Sequence, residues 1–72
     1  MTKEEFLNEL QDTLQRDDPI IETDNLSDYE EWDSLSKMAV MAFFDKKFGK
    51  KVSLTELGSF KTVQDLIKFA GL

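Results

Sequence analysis

Ser34-Leu35-Ser36-Lys37-Met38-Ala39-Val40-Met41-Ala42-Phe43-Phe44-Asp45-Lys46-Lys47-Phe48-Gly49 is the stretch on which the fold turns. It is rich in Leu, Met, Ala and Lys, which lose little on entering a helix, and it stops at a glycine, the residue for which a left-handed C-terminal position costs least. The pattern predicts a helix from Ser34 to Phe48. Its composition is unusual for a small protein. Met38 to Phe44 is apolar all the way round, whereas a helix at the edge of a small bundle needs only one apolar stripe. Val40, Phe44 and Phe48, at i, i+4 and i+8, form the natural core stripe, with Met41 beside them. Leu35, Met38 and Ala42 are left on another face. Either that face docks a partner, or the preceding loop covers it with Ile20, Tyr29 or Trp32.

Working outward, helical spacing continues on both sides. Thr2 followed by Glu5 makes a capping box, and Phe6, Leu10 and Leu14, with Leu7 beside them, predict a first helix over roughly 3–15. Pro19 prevents its clean continuation. The acidic stretch from Asp17 to Asp33 is long for a connection, so a short turn of its own is expected there, with Ser27 and Glu30 as its cap. Ile20, Ile21, Leu26, Tyr29 and Trp32 are expected to tie the loop to the core. After Val52, Ser53 with Glu56 reads as another capping box, opening a short helix that carries Leu54 and Leu57 and closes at Gly58. Thr62 and Asp65 cap a last helix whose inward stripe is Val63, Leu66, Ile67 and Ala70. The chain has 72 residues, of which 40% are hydrophobic, enough for one small core. A single domain over 1–72 is expected, with three longer helices and one short one.

Composition excludes much chemistry. The chain has no histidine and no cysteine. It therefore has no imidazole base, no thiolate nucleophile and no thiolate or imidazole ligand for zinc. The chain itself is not expected to be an enzyme. An EF-hand calcium site is excluded too, because residues 16–33 are acidic but contain no glycine. The longest apolar run, Met38 to Phe44, is far short of a bilayer span, and Met1-Thr2-Lys3-Glu4-Glu5 lacks the basic-then-apolar order of a signal peptide. No membrane insertion and a cytoplasmic location are the expectations, with a monomer as the default state.

The net charge of -6 conceals two halves of opposite sign. Residues 1–33 hold twelve acids against Lys3 and Arg16, a net of -10, and residues 34–72 hold three acids against seven lysines, a net of +4. Such asymmetry steers a charged partner or draws one half of the fold to the other. Lys46, Lys47, Lys50 and Lys51 are the only basic cluster, too small and without a readable element for nucleic acid binding.

Asp33-Ser34-Leu35 lies where the acidic loop meets the central helix. A serine there has an exposed hydroxyl close to unsatisfied backbone N–H groups and to the positive end of the helix dipole, a setting that favours a phosphate. Equally, Ser34 or Asp33 could serve only as an N-cap. Ser34 cannot be an ordinary hydrolase nucleophile, because no histidine exists to activate it. The ordered set of features resembles the acyl carrier protein family: Asp33-Ser34-Leu35 at a helix start, a helix ending Phe48-Gly49, Val52-x-Leu54, and Thr62-Val63-Gln64-Asp65-Leu66 opening the final helix. The resemblance covers about Leu26 to Ala70. It implies an all-α four-helix bundle with a long first loop. It also implies that a phosphopantetheinyl transferase moves 4'-phosphopantetheine from coenzyme A onto Ser34, with Asp33 and Leu35 as contacts. Acyl-activating or acyl-transfer enzymes would then use the thiol of that arm.

One departure from the family stands out. Fatty-acid-synthesis carriers have acids along the second helix, but here Asp45 is the only acid in residues 34–48, against three lysines. The resemblance therefore suggests a specialised pathway whose enzymes engage Leu35, Met38, Ala42 and Trp32 in place of helix carboxylates. Trp32 is equally readable as core. The alternatives are an unmodified helical interaction module docking through Met38 and Ala42, and a small regulatory protein whose acidic loop binds a basic partner.

Overall fold

The computed structural model describes all 72 residues and contains four α-helices: α1 (Lys3–Leu14), α2 (Ser34–Phe48), α3 (Leu54–Ser59) and α4 (Val63–Ala70). One turn of 3-10 helix, Leu26–Asp28, interrupts the long first loop. There are no strands, only an isolated antiparallel bridge between Asn25 and Thr62. The fold is the expected all-α bundle of three longer helices and a short one.

Local chemistry sets most helix ends. The α1 capping box has both halves: the Glu5 N–H donates to Thr2 Oγ1 at 3.1 Å, and the Thr2 N–H to Glu5 Oε1 at 2.8 Å. Gln15 stops the helix in the left-handed region at φ 55. Gly49, at φ 63, ends α2, and the next N–H, that of Lys50, reaches back to the Phe44 carbonyl at 3.2 Å. At α4, Thr62 and Asp65 form the second complete box.

Three local expectations need correction. Ser53 Oγ accepts the Glu56 N–H at 3.0 Å, but the reciprocal half is absent, so the Glu56 carboxylate is not used in capping. Gly58 does not close α3. It lies inside the helix, which runs to Ser59, and there a glycine costs about 1 kcal/mol relative to alanine. Ser27 is within the 3-10 turn, whose N-cap is Asn25, and no side chain caps it. The turn follows from Leu26 being drawn into the core.

Fifteen buried residues, all apolar or aromatic, form one core, with contributions from every helix and from the loop. Phe6 of α1 meets Phe43, Phe44 and Phe48 of α2 at centroid distances of 5.7 to 6.0 Å, and Phe44 meets Phe69 edge-on at 5.2 Å. The inward stripe of α2 is therefore Val40, Phe43 and Phe44, while Phe48 and Met41 are half-buried at its edge. Phe43 was not expected in that stripe. The neighbouring phenyl rings admit it because the adjacent Phe43 and Phe44, with Phe48 one turn on, all pack against the single ring of Phe6.

The long loop is anchored through its backbone as well as its side chains. Ile20, Leu26 and Tyr29 are buried and Trp32 is half-buried, but Ile21 is 57% exposed and anchors nothing. The N–H groups of Val63 and Gln64, which begin α4 and have no partner within it, donate to the carbonyls of Asp24 (3.1 Å) and Glu22 (3.0 Å). The Leu26 N–H donates to the Lys61 carbonyl at 2.9 Å. The opposite charges of the two halves account for little of the assembly. Of the four ion pairs, only Lys47 with Glu9 joins one half to the other, at 3.5 Å on the surface.

Candidate functional site

The start of α2 divides capping from exposure. Asp33, in extended conformation at φ -112, accepts the Ser36 N–H on Oδ1 at 2.8 Å and is therefore the N-cap. Ser34 is the first helical residue. Its side chain is exposed and its hydroxyl takes part in none of the protein's hydrogen bonds. The Ser34 and Leu35 N–H groups also lack protein acceptors, so two orphan donors and the positive helix end surround that hydroxyl. No acid stands in the first turn of α2.

The segment leading into Ser34 is held firmly. The Arg16 guanidinium lies over the Tyr29 ring, 4.0 Å from its centroid, and donates to Glu31 Oε1 at 2.9 Å. The Tyr29 hydroxyl donates to Asp24 Oδ2 at 2.7 Å; burial, aided by that hydrogen bond, pushes its pKa up to about 12. The Trp32 N–H donates to the Tyr29 carbonyl (3.1 Å) and the Asp33 N–H to that of Glu31 (2.9 Å), so the backbone winds tightly into the helix. Glu31 is held below the usual carboxylate range by its own backbone N–H and by Arg16.

Leu35, Met38 and Ala42 share an exposed face. Leu35 is 78% and Met38 58% exposed, and none of Ile20, Tyr29 or Trp32 covers them. Along this face runs an open groove of about 700 Å³, floored by Met38, Met41, Ala42 and Val52 and rimmed by Asp45 and Glu56. Trp32 lies elsewhere: the Lys37 ammonium is 5.5 Å from its ring centroid, and the two line a second recess on another side of α2. The site residues anticipated from sequence are thus Asp33, Ser34 and Leu35 at one helix end, Met38 and Ala42 along one groove, and Trp32 apart from them. Sequence reasoning missed Val52 and Glu56 on the groove's far wall, and Lys61 beside Trp32. Their proximity to α2 depends on packing between distant segments, for which one chain offers no local signal.

The residues present suit a covalent phosphate-linked group, since an accessible, unengaged hydroxyl stands where backbone donors favour an anion. They do not form a metal centre: no group of three or more acids gathers to hold an ion. No helix is long and apolar enough to cross a membrane. The family model for phosphopantetheine attachment sites matches residues 4–70. Comparisons with curated proteins and with solved structures gave no match.

Proposed function

The chain belongs to the phosphopantetheine-attachment family, and from that premise we propose that Ser34 is the attachment residue and that residues 1–72 act as one carrier domain. Members of this family bear covalent 4'-phosphopantetheine and are substrates of transferases. The observation that supports Ser34 is its exposed, unengaged hydroxyl beside an Asp33 that already caps the helix. Substitution on Ser34 Oγ then removes no hydrogen bond that α2 needs.

In the loading step Ser34 Oγ attacks the pantetheine phosphorus of coenzyme A. The Oγ–P bond forms as the P–O bond to adenosine 3',5'-bisphosphate breaks. The chain has no histidine, so the serine proton passes to a base of the transferase. Asp33 and Leu35, on either side of Ser34, are positioned to contact that enzyme. Once attached, the arm supplies the thiol that the polypeptide lacks, and acyl cargo is carried on it.

The partner surface in this proposal is the face of Leu35, Met38 and Ala42, with Trp32 a separate contact on another side of α2. The pathway we infer is a specialised one, because α2 offers basic partners only Asp45, and that carboxylate already pairs with Lys51 at 3.2 Å; a cytoplasmic location is part of the same proposal. Incubating the chain with coenzyme A and a broad-specificity transferase, then weighing it intact, tests the attachment residue. One phosphopantetheine on the native chain and none on Ser34→Ala is expected; equal loading of both sinks the assignment. The pathway proposal fails if the loaded chain supports malonyl transfer and elongation by fatty-acid-synthesis enzymes as well as a housekeeping carrier does.

A further inference from the structure

The recess beside Trp32 has a chemistry unlike the rest of the molecule. It encloses about 540 Å³ between the first loop, α2 and the end of α3, with Asn25, Trp32, Lys37, Gly58, Phe60 and Lys61 around it. Two lysines and no acidic residue line it, in a chain of net charge -6. Neither lysine is neutralised, since the protein's ion pairs use Lys3, Arg16, Lys47 and Lys51. Four acids of the loop and of α4 have other partners: Asp24 the Tyr29 hydroxyl, Glu31 Arg16, Asp33 the Ser36 N–H, and Asp65 the Lys61 and Thr62 N–H groups; Asp28 and Glu30, also in the loop, pair with neither lysine.

The recess is also kept open and rigid. Gly58 does not have the positive φ that would require glycine. A Cβ there would stand 3.8 Å from Lys37 Nζ, so the absent side chain leaves space around that ammonium. The Asn25–Thr62 bridge and the Leu26 to Lys61 hydrogen bond fix the loop wall against the far rim. Trp32 and Lys37 flank Ser34 at i-2 and i+3, and residues three apart on a helix are neighbours on its surface.

Resting on the assignment of Ser34, we propose that this recess seats an oxyanion carried on the arm: either the phosphodiester at Ser34 Oγ or a carboxylate at the end of the acyl cargo. Two unneutralised ammonium groups attract either anion, whereas a hydrocarbon end placed there would desolvate them without compensation. The aromatic faces of Trp32 and Phe60 flank whatever neutral part of the arm enters.

The test loads ¹⁵N-labelled chain with the arm from coenzyme A, pentanoyl-coenzyme A or glutaryl-coenzyme A, checks each product by intact mass, and follows the Trp32 indole and the Gly58 and Lys61 amides by NMR. Shifts are expected that are lost in Lys37→Gln/Lys61→Gln and retained in Lys37→Arg/Lys61→Arg. Lysine-dependent shifts in all three forms assign the phosphodiester; shifts confined to the glutaryl form assign the carboxylate. No shift, shifts that survive the glutamine substitutions, or shifts that need the acyl chain but not its carboxylate overturn the proposal. A chain that gains no mass fails the Ser34 assignment and this inference together, whereas a loaded chain without lysine-dependent shifts overturns this inference alone.

Discussion

The two apolar faces of α2 differ in composition, one largely aromatic and one aliphatic, and are opposite in fate. Val40, Phe43 and Phe44 are at most 8% exposed in the core, while Leu35 and Met38 stand 78% and 58% exposed, Met38 at an open groove. The difference lies in what the rest of the chain provides. Aromatic rings from α1 and α4 converge on one face, whereas on the other Val52 and Glu56 only wall a groove and leave Leu35 and Met38 exposed. A helix without a polar side in so small a domain therefore carries two stripes with separate duties. One maintains the fold, and the other remains available at the foot of Ser34.

That division can be broken by experiment. Phe44→Ala should cost about 3–5 kcal/mol in urea unfolding, a large share of the roughly 4–10 kcal/mol expected for a chain of this length. A loss comparable to a surface substitution would show that the inner stripe is not the structural one. Asp33→Ala should cost about 1 kcal/mol by removing the cap, and Asp33→Asn, which still accepts from Ser36, much less. Leu35→Ser/Met38→Ser should shift stability by no more than about 0.5 kcal/mol. The same pair should lower kcat/KM for enzymes that dock on that face by about tenfold. Should it unfold the chain as Phe44→Ala does, the two-stripe description falls.

The effects of pH report on segments outside α2. Backbone and side-chain N–H donors hold Glu5, Glu31 and Asp65 below the usual carboxylate range. The stability each gives is present above that range and lost as pH falls through its lowered value, so the Tm should decline on acidification below about pH 4. Tyr29 acts in the opposite sense. Its raised pKa of about 12 makes its contribution complete below the ordinary tyrosine value and lost as pH rises toward 12, and Tyr29→Phe should abolish that alkaline decline in thermal melts.

Much of this molecule is legible locally. Thr2 with Glu5, Thr62 with Asp65, and Gly49 after Phe48 specify helix ends through contacts between residues three to six apart, so spacing alone reveals them. Ser34 is legible for the same reason, as a serine at a helix start within an ordered set of family features. Phe43, Gly58 and Lys61 are not. Phe43 is buried because Phe6 lies across from it, Gly58 faces Lys37 from another helix, and Lys61 meets the loop through a residue 35 positions earlier, Leu26. Each depends on partners that no periodicity brings together. The half-formed box at Ser53 marks the same boundary: the motif is present, but the Glu56 carboxylate makes no bond to its own helix start, and Glu56 instead lines the groove.

The hydrogen bonds from Val63 and Gln64 to the loop make the first long connection and the last helix a single opening unit. Neither can fray without exposing the other's unpaired backbone groups, so the Leu26, Val63 and Gln64 amides should exchange with solvent together. The residues leading into Ser34 lie within that loop, and α4 in turn lies at the other end of the chain. A partner that grips α4 should therefore slow exchange of the Leu26 amide as well, since these backbone hydrogen bonds join the two segments.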